Sequence, residues 1–233
     1  MSIELFNIDK GYAVFSKRDY ETSEHAHYAI EMVYCTEGTF SITTGISRHT
    51  NITSAIVPSN LPHTFSSINA KCNILFLDPL FDSGRYFIHQ YHLASQQDII
   101  VDPPALNQFH KKGKFDIPLL LEMAETGGAG DLDFRIVNCI QAIDSHITDH
   151  KITLSQLSKA SFLSESRLSH LFRKQLGISV HQCILWKKMF LAVLKSREGY
   201  SLTACAHYAG FADSSHFNKA FYKMFGITPF FVL

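Results

Sequence analysis

The sequence has no net charge, since 21 Lys and Arg balance 21 Asp and Glu over 233 residues. It has no apolar run near the roughly 20 residues needed to cross a bilayer, so no membrane-spanning helix is expected. Its start, Met1-Ser-Ile-Glu-Leu-Phe6, lacks a basic segment ahead of an apolar one, and no export signal is expected. Cys35, Cys72, Cys139, Cys183 and Cys205 are odd in number and lack the close-paired spacing of a metal site. They point to free thiols in a reducing cytosol. G-x-S-x-G, H-E-x-x-H and a glycine-rich phosphate loop after a strand are also missing, which leaves nucleophilic and acid-base enzymes without their usual groups.

The zero charge is a cancellation. Residues 151–233 hold 11 Lys and Arg against 3 Asp and Glu, a net of +8, while residues 1–150 hold 10 against 18, a net of −8. A basic half is the electrostatic footprint of phosphate binding, and an acidic half gains nothing near DNA. The length and the 46% hydrophobic content suit two small cores.

The basic half contains a duplication. The segment from Ser164 to Ser179 returns 49 positions later from Asp213 to Thr228. Each copy opens on a helix-capping residue, carries apolar residues at helical spacing (Leu168, Leu171 and Phe172; Phe217, Phe221 and Phe225), and closes on Gly177-Ile178 or Gly226-Ile227. A short hydroxyl-capped helix precedes each, Thr153 to Ala160 and Ser201 to Ala209, with one more residue in the second turn. A short helix, a tight turn and a second helix is the helix-turn-helix arrangement, whose second helix enters the DNA major groove. Between the copies, Val180 to Ser196 predicts a rod of about 24 Å with an apolar face at Val180, Ile184, Leu185, Phe190, Leu191 and Leu194. Trp186 is expected to be a packing anchor.

These residues, with Leu157, Leu163, Ala206, Gly210-Phe211-Ala212-Asp213-Ser214 and Phe225-Gly-Ile-Thr-Pro229, resemble the DNA-binding domain of the AraC/XylS family of bacterial transcription regulators. Three positions depart from the family pattern: Ser158 for Ala, Lys188 for Arg, and an ending at Phe230-Phe-Val-Leu233 without Tyr-Arg. The resemblance implies that early recognition-helix positions contact bases: Ser166, Arg167, Ser169 and His170 in the first copy, and Ser214, Ser215, His216, Asn218 and Lys219 in the second. Arg167 has the fork to grip guanine and Asn218 the amide to grip adenine. Arg173, Lys174, Lys195 and Lys223 are expected on phosphates.

The acidic half has the grammar of an antiparallel β-domain. Short stretches rich in β-branched and aromatic residues at 11–15, 29–35, 39–44, 54–57 and 73–77 are separated by Gly, Asn, Ser or Pro. A helix is expected over 117–125, a break at 126–130, and a helix over 131–147 that begins the second domain. His25-Ala-His27 with Glu31 and Gly38, followed by Pro58-Ser-Asn-Leu-Pro62-His63, resembles cupin motifs. His25, His27, Glu31 and His63 are therefore candidates for a divalent metal set, for polar effector contacts, or for remnants of the fold.

The expected architecture is a two-domain α+β chain. A cupin-like antiparallel β-barrel with a C-terminal helical segment (1–126) precedes an all-α domain (131–233). The latter has helix-turn-helix units at about 153–176 and 201–225, joined by a linker helix at about 180–196. The expected function is cytoplasmic, sequence-specific transcriptional regulation responsive to an unknown small-molecule effector, with activation favoured over repression and no enzymatic activity. Expected partners are double-stranded DNA, RNA polymerase and a second copy in a homodimer, with no membrane. No cofactor is required, and a divalent metal is one option for the histidine set. The alternatives are a metal-dependent cupin enzyme, or a constitutive DNA-binding protein whose barrel only dimerises.

Overall fold

The computed structural model describes residues 2–7, 9–148 and 152–225. The chain folds as two compact units that part after Gly130.

The first unit is built on β1 (Ser2–Asn7), β2 (Tyr12–Arg18), β3 (Ile30–Glu37), β4 (Phe40–Thr44), β5 (Arg48–Ile52), β6 (Ser54–Val57), β7 (His63–Ser66) and β8 (Lys71–Leu77). These are followed by α1 (Asp82–Gln90), the short strands β9 (Ile100–Val101), β10 (His110–Lys111) and β11 (Lys114–Phe115), and α2 (Ile117–Thr126). A six-stranded antiparallel sheet runs β1-β2-β8-β3-β6-β9, and a three-stranded sheet runs β5-β4-β7. Side chains alternate across a strand, so Tyr12, Val14, Ile30, Met32, Ile56, Leu75 and Leu77 form one face of the larger sheet. That face packs on Tyr86 and Phe87 of α1 and Ile117 and Leu120 of α2. The opposite face carries Phe15, Glu31, Val33, Ile74 and Phe76, and it is buried too. Gly38, at φ +73°, turns β3 into β4, where a Cβ would stand 2.9 Å from the Asn69 carbonyl oxygen.

The expected closed barrel is corrected to two sheets. Among the described residues no ladder joins them, and the link is made by the bridges Glu21↔Ser66 and His25↔His63. The break falls where β6 runs into Pro58-Ser-Asn-Leu-Pro62. Proline offers no ladder N–H there, and Asn60 sits at φ 65°.

The expectation of five free thiols is also corrected. Cys35 and Cys72 are register partners on β3 and β8, 4.0 Å apart at Cα, and their sulfurs are joined. Cys139, Cys183 and Cys205 are free and buried. Burial pushes the Cys139 thiol up to about 11, opposed by a hydrogen bond with Ser161.

The second unit consists of α3 (Phe134–Ser145), α4 (Leu154–Ala160), α5 (Glu165–Leu176), α6 (Val180–Arg197), α7 (Leu202–Tyr208) and α8 (Ser214–Phe225). The starts of α4 and α6 are closed by capping boxes in which Thr153 pairs with Gln156 and Ser179 with Gln182. Helix α6 spans 18 residues, about 27 Å at 1.5 Å per residue. Its buried positions are Val180, Cys183, Trp186, Met189, Ala192 and Val193, with the Trp186 ring set edge-on to Phe190 at 4.6 Å. The bulkier Ile184, Leu185, Phe190 and Leu191 are only half-buried and Leu194 is exposed. A helix apolar on most sides hides its inner face from periodicity, so the small residues were the ones missed. The closing motif after Phe225, and the chain end without Tyr-Arg, lie outside the described residues.

Candidate nucleic-acid interface and histidine cluster

The duplication persists in the hydrogen bonds. Helix α4 ends with Ser161, Phe162 and Leu163 donating from their N–H groups to the carbonyls of Leu157, Lys159 and Ser158. Helix α7 ends the same way, with Ala209, Gly210 and Phe211 donating to Cys205, His207 and Ala206. The last two bonds of each set are the Schellman pattern, which needs a left-handed residue after the cap. Gly210 supplies it at φ 75°, and Phe162 supplies it at φ 55° with its ring turned out to solvent. The recognition helices then start alike. Ser164 Oγ accepts from Arg167 N–H at 3.3 Å, and Asp213 Oδ1 accepts from His216 N–H at 2.7 Å. Leu168, Phe172, Phe217 and Phe221 are fully buried and fix which face looks outward.

On α5 the outward residues Arg167, His170 and Lys174 fall three and four positions apart, on one stripe. With Ser164, Ser166, Leu171 and Arg135 of α3 they line an open cleft of about 490 Å³. Arg135 was missed in the sequence because it lies thirty residues ahead of the motif. It is held by Asp133, whose Oδ1 accepts from Nε at 2.9 Å and whose Oδ2 accepts from Nη2 at 2.6 Å. The guanidinium beside it holds the Asp133 carboxyl down to about 2. Arg173 is exposed beside this stripe. Ser169 is half-buried and donates its hydroxyl to the Glu165 carbonyl at 2.9 Å, so only its lone pairs remain for a base.

On α8, Ser215, Lys219, Tyr222 and Lys223 are exposed and Ser214 is half-buried. His216 is turned onto its own turn: its Nδ1 accepts from Ala212 N–H at 3.4 Å and its ring stands edge-on to Phe211 at 5.4 Å. Asn218 is half-buried, with an Oδ1 that is shielded and lacks a hydrogen-bond partner. Lys195, expected on a phosphate, instead donates to Glu198 at 2.5 Å and lies 5.0 and 4.8 Å from the Tyr200 and Tyr208 ring centres. That cation is already neutralised, which removes it from the freely available set.

In the first unit His25, His27 and His63 come together. One ring nitrogen from each lies within 4.8 Å of the others. The loop before β3 supplies His25 and His27, the bridge to β7 supplies His63, and β3 supplies Glu31. All four are buried. Glu31 Oε2 is 2.8 Å from His27 Nε2 and 3.3 Å from His63 Nε2, the latter without hydrogen-bond alignment. Burial opposes ionisation of Glu31, but His27 and His63 override it and hold the carboxyl well below the usual range. Burial, then the neighbouring His63 and His27, lower His25 to about 4, while Glu31 raises His63 against its own burial.

Residues 157–230 match the family described as a helix-turn-helix domain. The chain is 36% identical over 91 residues to the probable transcriptional regulator LumQ of Photobacterium leiognathi, covering 37% of each. It is 33% identical over 103 residues to the arabinose operon regulatory protein of Escherichia coli, covering 42% of this chain and 34% of that protein. The matched region thus spans about a third of the length of these curated relatives. Among solved structures, unsaturated fatty acid bound ToxT from Vibrio cholerae has a TM-score of 0.62 at 11% identity, covering 94% of this chain and 93% of that one. This establishes a common two-part fold, with an N-terminal β-rich region and a C-terminal helical domain. Through that C-terminal domain, this chain belongs to the AraC/XylS family of helix-turn-helix regulators.

Proposed function

We propose that the protein is a cytoplasmic, sequence-specific DNA-binding transcriptional regulator and not an enzyme. One observation carries this: two recognition helices share their caps, their Schellman turns and their buried stripe, yet present different outward residues. Repeated geometry with unlike surfaces suits two groove segments of unlike sequence, read by one chain. Arg167, Ser166 and His170 on α5, with Ser215 and Lys219 on α8, are the base-contacting candidates; Ser169, Ser214 and Asn218 are secondary. Arg173, Lys174 and Lys223 steady the phosphates. The β unit serves as the effector-responsive and dimer-forming part, and RNA polymerase is the partner through which activation would act. A protein of the same fold has been crystallised with an unsaturated fatty acid, which supports including amphipathic carboxylates among candidate effectors.

The test is selection of bound duplexes from a random pool with the full chain, repeated with candidate effectors. An enriched, non-palindromic site with two blocks about one helical turn apart is expected. Failure to enrich any sequence, or enrichment of a single short block, would refute the paired-reader mechanism.

A further inference from the structure

The four buried polar side chains of the β unit present a protonation problem that a cation solves. Each histidine uses its Nδ1 in the same way: His25 toward the Ser23 carbonyl at 3.0 Å, His27 toward Ala29 at 2.7 Å and His63 toward Leu61 at 2.8 Å. A carbonyl oxygen can only accept, so each Nδ1 must carry the proton. In a neutral ring that leaves Nε2 as a bare lone pair. His27 and His63 aim those lone pairs at Glu31, itself an acceptor held in its ionised form. Acceptors facing acceptors in a dry site are costly unless something positive lies between them. A single added proton would serve the His27–Glu31 contact and leave His63 Nε2 without a hydrogen-bond partner. A metal ion would satisfy the whole set at once.

We infer that His25, His27, His63 and Glu31 form a binding site for one divalent first-row transition metal. Three imidazoles and one carboxylate are the ligand class that such ions take, and backbone carbonyls behind each ring are the outer partners that orient ligating histidines. Ligands about 2.0 to 2.2 Å from one ion stand at most about 4.4 Å apart, and the histidine nitrogens already lie within 4.8 Å. The ion also has a structural consequence, because its ligands come from both sheets. His63 opens β7 of the three-stranded sheet and Glu31 lies on β3 of the six-stranded sheet, where no ladder connects them. Metal therefore staples the two sheets at the place where proline interrupts their pairing.

The full chain, stripped with a chelator and dialysed, is titrated with Zn²⁺, Mn²⁺ and Co²⁺ by calorimetry, with Co²⁺ also followed by its visible absorption. One equivalent per chain, Co²⁺ bands of a nitrogen-oxygen site, and a higher melting temperature on loading are expected. Glu31→Gln keeps the shape and should weaken binding at least tenfold, and His25→Ala should abolish the Co²⁺ bands. Less than a fifth of an equivalent bound by wild-type protein, or full binding retained in both variants, would overturn the assignment. Circular dichroism of the stripped variants separates loss of a ligand from loss of the fold. DNA selection on the same preparations is independent of these readouts.

Discussion

Arg167→Ala tests the assignment of α5 as a base-contacting helix. Arg167 is exposed, and its backbone N–H, not its side chain, takes part in the Ser164 cap. Its guanidinium has no hydrogen bond or ion pair among the described residues, so truncation should change folding stability by no more than about 0.5 kcal/mol. Alanine is also at least as good a helix former. If the guanidinium grips a guanine, its loss removes about 1 to 3 kcal/mol of discrimination, or about 5- to 150-fold in affinity at 1.4 kcal/mol per tenfold. That loss should fall on the selected duplex and largely spare a shuffled one. Fluorescence anisotropy with both duplexes at about 0.15 M salt measures the two dissociation constants side by side, with Lys174→Ala as the comparison. Lys174 should weaken both duplexes alike, and each neutralised phosphate lost should reduce the salt slope by about 0.9. An equal fold-loss on the two duplexes for Arg167→Ala would refute base contact and leave Arg167 as one more phosphate cation.

Arg135→Ala should lower affinity for any DNA and flatten the log K against log salt plot by about 0.9, because Arg135 lines the same cleft as Arg167 and Lys174; an unchanged slope means that Asp133 keeps it off the DNA. Phe217→Ala should cost about 3 to 5 kcal/mol, since the ring is fully buried against Phe211 and Phe221, and urea unfolding followed by circular dichroism would register a loss under 1 kcal/mol as evidence against a core role. Gly84→Ala should destabilise the β unit by about 1 to 3 kcal/mol through overpacking, since its Cβ would stand 2.1 Å from the Asp78 carbonyl oxygen; wild-type stability in the same urea experiment would contradict that close approach.

The helical half was legible because its information is local. Caps, turn residues and apolar spacing act within a few residues, and the same pattern written twice excludes coincidence. Helix α1 was not legible, because Ser83 and Gly84 interrupt its apolar pattern and are explained only by the close approach to Asp78. Strand β5, Arg48 to Ile52, was missed because an exposed edge strand has no alternation to detect. The expected outward set on α8 was right in spacing and incomplete in direction, since His216 and Asn218 can turn inward without breaking the helical pattern.

By itself the sequence determined the two-part organisation, the segregation of charge, the paired recognition helices and the four residues of the histidine cluster. Each depends on composition or on short-range spacing. Only the tertiary structure decided which side chains are committed elsewhere, as Lys195 is to Glu198 and two tyrosines, and which join the interface from afar, as Arg135 does. It alone opposed Cys35 to Cys72 across two strands, and it alone showed that every clustered histidine has its Nδ1 occupied by a backbone carbonyl. These are pairings between segments tens of residues apart, set by strand register and helix packing, and no local pattern encodes them.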